Sequence, residues 1–536
     1  MAVAQALTGV ILDLRSRYAE ARDGRAKAAS VDPLGGQPVN EAQFPRAPTT
    51  NERTSVGIVT ETEFSDVVVI GGGPAGSTIA SFLARKGHAV TVLEQATFPR
   101  EHVGESLLPF CYRILEELGL LEEMKRRYVR KPGVRFLDTD GVTQTTWCFG
   151  SKIHDPSYLS FHVIRSEFDQ LLLNHSAGLG ATVREGTKVE SVDLAATGTD
   201  TDPDRRARVE AVRPGGERQT YYARFVVDAS GRSTFLANRM KTKIAHDELA
   251  RTALNSPWRG VTYAGGLEQG LIQIVYTGGE KQGWMWVIPL STDRVSIGVV
   301  MNTSYFRSRR QALRAEGVDD WQSELYLREI MDSPYVRDIT ADAAQMRAVA
   351  HDGDYSYTVG SKWGDNYALV GDASAFIDPI FSSGVYLAMN SARLLSDAVD
   401  ARLTGGSEEG SLALKGVYEK IVGAYSLVDK LIRLFYTPES INFAQLGQAA
   451  SAFPDIEHHV NAMSLQHFLL AGDFFEQANR YSDFVDSLAD PKLFRRYKQL
   501  VIDRPVFQET VCEHGDTAIF PESLAEHDRR RAEMGI

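Results

Sequence analysis

The chain is poor in cysteine: Cys111, Cys148 and Cys512 are the three in 536 residues, and no CxxC pair occurs. Three thiols cannot all pair and zinc-ligand spacing is missing, so neither a disulfide framework nor a structural zinc site is expected. Such usage fits a reducing cytoplasm. Also missing is any run of about 18 apolar residues, which excludes a helical membrane span. Positive charge is in deficit: 58 Lys and Arg face 70 Asp and Glu, a net charge of −12. Nucleic acid needs a basic face and is therefore excluded as the main partner. What remains is the ordinary balance of a globular chain, 43% hydrophobic and 24% charged. Its length, roughly three to four usual domains, argues for more than one unit.

Val3, Ala6, Leu7, Val10, Ile11 and Leu14 recur at helical spacing, with Arg15 and Arg17 after them rather than before. An export signal would place its basic residues first, so this segment reads as a short amphipathic docking helix. Residues 24–62 are rich in Pro, Gly, Thr and Asn and lack periodicity, as a linker or wrapped arm would be. From Asp66 strand and helix patterns alternate, with hairpin signals at Thr139-Asp140-Gly141 and Pro214-Gly215-Gly216. Beyond about Leu412 strand signals fade, and Val417 to Tyr436 and Ala462 to Tyr481 read as helices. The expected organisation is an arm over 1–64, an α/β body over 65–400 and a mainly helical region over 401–536.

The body opens on a nucleotide fingerprint. Asp66-Val67-Val68-Val69-Ile70 is a buried-strand pattern running straight into Gly71-Gly72-Gly73-Pro74-Ala75-Gly76, which starts a helix to about Lys86. Gly87 stops it, and His88 to Leu93 forms a second strand ending in Glu94. Gly71 permits the tight turn, Gly73 lets backbone approach a pyrophosphate, and Gly76 lets helix and strand pack closely. Ala75 lies in the same turn, whose free amides face the phosphates. Glu94 is placed for the adenosine ribose hydroxyls.

Later segments say which dinucleotide. Tyr367-Ala368-Leu369-Val370 is a strand ending in Gly371-Asp372-Ala373, followed by a helix from about Gly384; Asp372 can hold a ribityl hydroxyl. Val226-Val227-Asp228-Ala229-Ser230-Gly231 makes another strand-to-glycine turn of the kind that edges a flavin site. Arg165 either contacts the cofactor or is a surface helix residue. No second fingerprint with a strand before it occurs, so no NAD(P)H domain is found. The expectation is FAD, received reduced from a separate flavin reductase.

Three motifs then carry a resemblance: Gly283-Trp284-Met285-Trp286-Val287-Ile288-Pro289; Phe98-Pro99-Arg100 with Gly104-Glu105-Ser106-Leu107-Leu108-Pro109; and Gly371-Asp372-Ala373 through Asp378-Pro379-Ile380-Phe381-Ser382-Ser383-Gly384-Val385. Over roughly residues 65–400 the chain resembles the flavin-dependent halogenases, relatives of single-component flavin hydroxylases. The resemblance implies an α/β fold: a FAD-binding Rossmann-like (GR2, hydroxylase-like) domain, a β-sheet substrate domain and a helical C-terminal region. It also implies an enzyme that uses FADH2, O2 and chloride or bromide to make hypohalous acid. Hydroxylase, prenyl-chain reductase and binding of prenylated partners are the alternatives within this fold.

By resemblance, the backbone amides of Ser383 and Gly384 hold the halide, a geometry shared with an ordinary helix N-cap. Trp284 and Trp286, two apart on a strand, face one side. The resemblance makes them a wall between flavin and organic substrate. Lys131 lies 60 residues after Gly71. It matches the lysine that handles hypohalous acid, either by hydrogen bonding or as a chloramine, and Pro132 favours an extended strand start there. Its competing reading is membership of a solvated basic run, Lys125-Arg126-Arg127-Tyr128-Val129-Arg130. That run is also the one dense basic candidate for docking an acidic carrier protein. Phe381 stands where the tryptophan-specific branch has Glu, which points to phenols or pyrroles, free or on an acyl or peptidyl carrier protein. Glu105 lies near the flavin or serves as a cap. His458-His459 point apart on a helix and are a poor metal pair.

Overall fold

A computed structural model describes residues 62–437, apart from 152, 196–205, 263–269 and 354–355. It also describes scattered positions between 472 and 485, and 512–529 apart from 516 and 527. The N-terminal helix, most of the arm, most of Ala462 to Tyr481, and His458-His459 lie outside these residues.

The strand Thr62–Ile70 is apolar on both faces beyond Ser65, as a central parallel strand requires. It pairs in parallel with Val90–Leu93 on one side and Arg218–Asp228 on the other. Thr182–Arg184 and Tyr367–Leu369 extend the parallel set outward. Helices Pro74–Arg85, Arg165–Gly178 and Gly384–Thr404 pack together on one face. Both hairpins expected from sequence form. Gly141 (φ 69°) turns Gly133–Leu137 into Gln144–Cys148, and Gly215 and Gly216 (φ 92° and 87°) turn Ala207–Val212 into Arg218–Asp228.

A second sheet carries the tryptophan motif. Its seven-strand path is antiparallel except where Ile272–Thr277 runs parallel to Gly133–Leu137. Alternation divides the strand Gly283–Pro289 between two cores. Trp284, Trp286 and Ile288 face the flavin-side core, and Met285 and Val287 face a second core with Phe306, Leu325 and Val336. Helices Thr303–Ala315, Trp321–Asp332 and Pro334–Ile339 supply that second layer.

Ser407–Tyr436 is one 30-residue helix, longer than the Val417 to Tyr436 pattern suggests. Leu414, Tyr418, Ile421, Val428, Leu431 and Phe435 lay its apolar stripe into the same core as Gly384–Thr404. No helix among the described residues is long and apolar enough to cross a membrane.

One expectation is overturned. Cys148 and Cys512 form a disulfide across 364 residues of sequence, and Cys111 alone is a free, buried thiol. Sequence separation says nothing about spatial approach, so counting cysteines was no guide here. The inference of a reducing compartment loses its support. The basic run, for its part, is no bare cationic patch. Lys125 pairs with Glu122 at 2.8 Å, and Arg126 and Arg127 both pair with Glu123 on their own helix. Arg130 is buried and donates to the Leu159 carbonyl at 2.6 Å.

Candidate active site

The turn after the first strand is shaped by what a side chain there would strike. Gly71 has φ 102°, and a Cβ on it would lie 2.4 Å from the Ala229 carbonyl oxygen. A Cβ on Gly76 would lie 1.9 Å from the Gly71 oxygen, so helix and turn touch only because both residues are glycine. Glu94 is buried at the end of the second strand; its carboxylate accepts Gly72 N at 2.7 Å and Ala96 N at 2.8 Å. These bonds lock the turn and fix the acid at the cavity edge.

That edge begins a cavity of about 810 Å³, within the range of cofactor sites. Gly71, Gly73, Ala75, Glu94, Arg165, Asp372, Trp284, Trp286 and Gly384 all border it. Gly76 and Ser383 lie just behind it, and Lys131 lies elsewhere. Arg165 is buried rather than on the surface. It opens the helix Arg165–Gly178, grips Asp169 through Nε and Nη2 at 2.8 and 3.0 Å, and donates to the Val103 carbonyl at 2.6 Å. Burial pushes the Asp372 carboxyl up to about 6, against the opposing pull of Arg165 and Arg232. Burial likewise raises Glu105 to about 7; its Oε2 has no hydrogen-bond partner and it too borders the cavity.

These residues fit FAD. The space is bordered by a glycine turn that no other residue could form, by a fixed acid, by the tryptophans and by a helix N-terminus. Glu105 supplies an orphaned buried carboxyl oxygen inside it. When bound, the flavin would supply the oxygen-activating redox chemistry. The turn at Gly71–Gly76 would hold its phosphates, Glu94 its ribose and Asp372 its ribityl chain.

The far end is built by two facing elements. Trp284 and Trp286 have ring centroids 5.7 Å apart, and Trp286 donates to Ser296 Oγ at 3.1 Å. Gly298 lies opposite Trp286 on the neighbouring strand; a Cβ there would be 2.1 Å from the indole. The absence of that atom is what lets the ring lie flat. Facing the pair, the short 3-10 turn Pro379–Phe381 passes through Ser382, left-handed at φ 55°, into the helix Gly384–Thr404. A Cβ on Gly384 would meet nothing within 4 Å, so this residue looks into open cavity. Ser383 Oγ is buried without a hydrogen-bond partner.

Lys131 ends the strand Val129–Lys131, with the next strand starting at Gly133; the expected strand start is thus a strand end. Pro132 separates the two. Lys131 Nζ is buried, donates to the Leu107 carbonyl at 3.0 Å and sits 5.3 Å from the Phe149 ring centre. Burial with no carboxylate in reach lowers its ammonium to about 7, while the nearby Cys111 thiol is pushed up to about 12. Around it is a space of about 20 Å³, enough for one water-sized molecule. Phe381, Trp147 and Ser382 line that space, and Ser382, Ile272 and Ile274 border the large cavity as well. Ser382 and Gly298 were not singled out from sequence. A non-glycine left-handed residue leaves no composition signal, and Gly298 acts through strand register.

Comparison with known proteins agrees with this geometry. The family model described as FAD binding domain matches residues 65–414. The flavin-dependent halogenase armH3 of Armillaria mellea is 33% identical over 360 residues, covering 64% of this chain and 69% of its own length. The 1H-pyrrole-2-carbonyl-[peptidyl-carrier protein] chlorinase of Pseudomonas fluorescens is 31% identical over 358 residues, covering 63% of this chain and 76% of that protein. Among solved structures, the myxobacterial chondrochloren halogenase CndH, a variant of FAD-dependent halogenases, matches with TM-score 0.61 and 29% identity, over 82% of this chain and 97% of that one. With a FAD binding domain matched across most of its body and halogenases aligned over that same stretch, this chain belongs to the flavin-dependent halogenases.

Proposed function

We propose that the protein uses FADH2, O2 and chloride or bromide to halogenate an electron-rich phenol or pyrrole, free or carrier-tethered, in natural-product biosynthesis. One observation carries the reading. A helix start at Gly384 and a tryptophan pair, Trp284 and Trp286, line one cavity, and Ser382 borders both that cavity and the small space at Lys131. Unpaired amides at a helix start suit a halide, and Gly384 leaves room for it. The wall keeps an aromatic substrate from the flavin, so oxidised halogen rather than oxygen reaches it.

Hypohalous acid then meets Lys131. The depressed pKa favours the neutral amine above about pH 7. The amine nitrogen attacks chlorine, giving the chloramine and water. The substrate's ring carbon next attacks the chloramine's chlorine, and loss of the ring proton restores aromaticity and the amine. Phe381, not a carboxylate, borders Lys131, so the substrate must stabilise its own cationic intermediate, as phenols and pyrroles do. The carrier chlorinase among the relatives supports tethered pyrroles as one class to test. The single dinucleotide fingerprint supports dependence on a separate flavin reductase. The test is product mass spectrometry over free and carrier-tethered phenols and pyrroles, with FAD, a reductase, and chloride or bromide. Halogenated product that disappears without halide is expected. Hydroxylated product formed regardless of halide would overturn the reading in favour of a hydroxylase.

A further inference from the structure

Three residues far apart in sequence form one hydrogen-bonded chain that leads away from the cavity wall. Trp284 Nε1 donates to Tyr436 Oη at 2.9 Å, and Tyr436 Oη donates to Asp378 Oδ2 at 2.8 Å. The other carboxylate oxygen, Asp378 Oδ1, accepts Ile380 N at 3.0 Å and so caps the turn Pro379–Phe381 that leads to Ser383 and Gly384. Tyr436 is the last residue of Ser407–Tyr436, and its neighbour Phe435 stacks on Tyr276 at 4.8 Å and meets Phe381 edge-on at 6.2 Å. The Arg251 guanidinium lies 4.1 Å from the Tyr436 ring centre.

We propose that Tyr436 is a positioning residue that sets the Ser383–Gly384 loop against the tryptophan wall. It does not border the cavity itself and acts through Trp284 and Asp378. The chemistry of its two ends suits a hydroxyl in the middle. An indole N–H can only donate and a carboxylate can only accept, so a group between them must do both. A hydroxyl is the smallest side-chain group that does. The latch comes from the C-terminal helix, beyond the matched FAD binding domain. It deepens the proposed halide role of the loop and rests on that reading.

The test is Tyr436→Phe, which keeps the ring and removes the oxygen. Hydrogen exchange at the amides of residues 380–385 should speed up while FAD affinity, from fluorescence titration, stays unchanged. The chloride KM should rise about tenfold, the scale of one lost buried hydrogen bond, with the aromatic substrate's KM unmoved. Asp378→Asn keeps an acceptor for the hydroxyl and should be milder than Asp378→Ala. Tyr436→Phe added to Asp378→Ala should then cost little more. Unchanged exchange at 380–385, or FAD affinity falling in step with turnover, would overturn the latch. So would an unchanged chloride KM in Tyr436→Phe when Gly384→Val does shift it. If Gly384→Val leaves chloride dependence unchanged, the halide reading fails instead, and the exchange result alone judges the latch.

Discussion

Lys131 is the residue whose chemistry and stability effects oppose each other most directly. Its ammonium has lost its water and faces a carbonyl and a ring, with no carboxylate to offset the burial. An unfolded lysine titrates near 10.4, so the folded protein binds fewer protons between about 7 and about 10. Stability therefore rises with pH across that window, and the penalty is complete below pH 7. Lys131→Met should stabilise the fold, by on the order of a few kcal/mol at pH 7 and much less near pH 10, and so raise the melting temperature more at pH 7. The same variant should abolish halogenation yet leave reduced-flavin oxidation intact. In the parent enzyme, halogenated product per O2 consumed should increase as pH rises through about 7, because the proposed chloramine route needs the neutral amine. Using the ratio removes the effects of Glu105 and Asp372, which face the flavin. Lys131→Arg, charged throughout, should not restore product. A ratio that falls with rising pH would assign Lys131 to hydrogen bonding of hypohalous acid instead.

At the scale of elements, the proposed halide loop would work through its backbone alone. Ser383 Oγ is buried and bonds to nothing among the described residues, so Ser383→Ala should shift the chloride KM less than about twofold, within the range of a side chain that makes no bond. Gly384→Val places methyl groups in the open space its Cβ would enter and should raise that KM severely. Titrating turnover against chloride separates the two; equal effects would contradict a backbone site. The nucleotide turn, the tryptophan strand and this helix start were legible in the sequence because each is one continuous segment whose glycines and alternation state its geometry. The Trp284–Tyr436–Asp378 chain was not, because it joins three segments that only the packing of Ser407–Tyr436 brings together. Gly298 escaped notice because its meaning depends on lying opposite Trp286. The acids that neutralise the basic run, Glu122 and Glu123, were readable at i+3 and i+4 spacing. A carrier-docking surface centred on Arg126 and Arg127 therefore has little net charge to offer.

Across the whole molecule, the C-terminal stretch is fastened to the strand that holds Lys131. Arg130 N donates to the Ile519 carbonyl at 2.8 Å, and Ile519 and Phe520 pack with Val129 and Leu159. The Cys148–Cys512 bond adds a covalent tie at the end of Gln144–Cys148, beside Gly133. A cross-link spanning 364 residues removes much freedom from the unfolded chain and contributes about 2–4 kcal/mol by the usual range. Replacing both cysteines with alanine leaves two small apolar residues in an apolar site, so the folded contacts change little. That variant, or the parent under strong reductant, should lose stability on that scale, melt at a lower temperature and lose its C-terminal segment first to limited proteolysis. FAD affinity should hold, because none of the described tail residues borders the large cavity. Product per O2 should fall, because the backbone of Arg130, next to Lys131, loses its anchor at Ile519. A melting temperature and cleavage pattern unchanged by reduction would mean that the Ile519–Phe520 packing alone holds the segment, and that the bond contributes nothing to the lysine's placement.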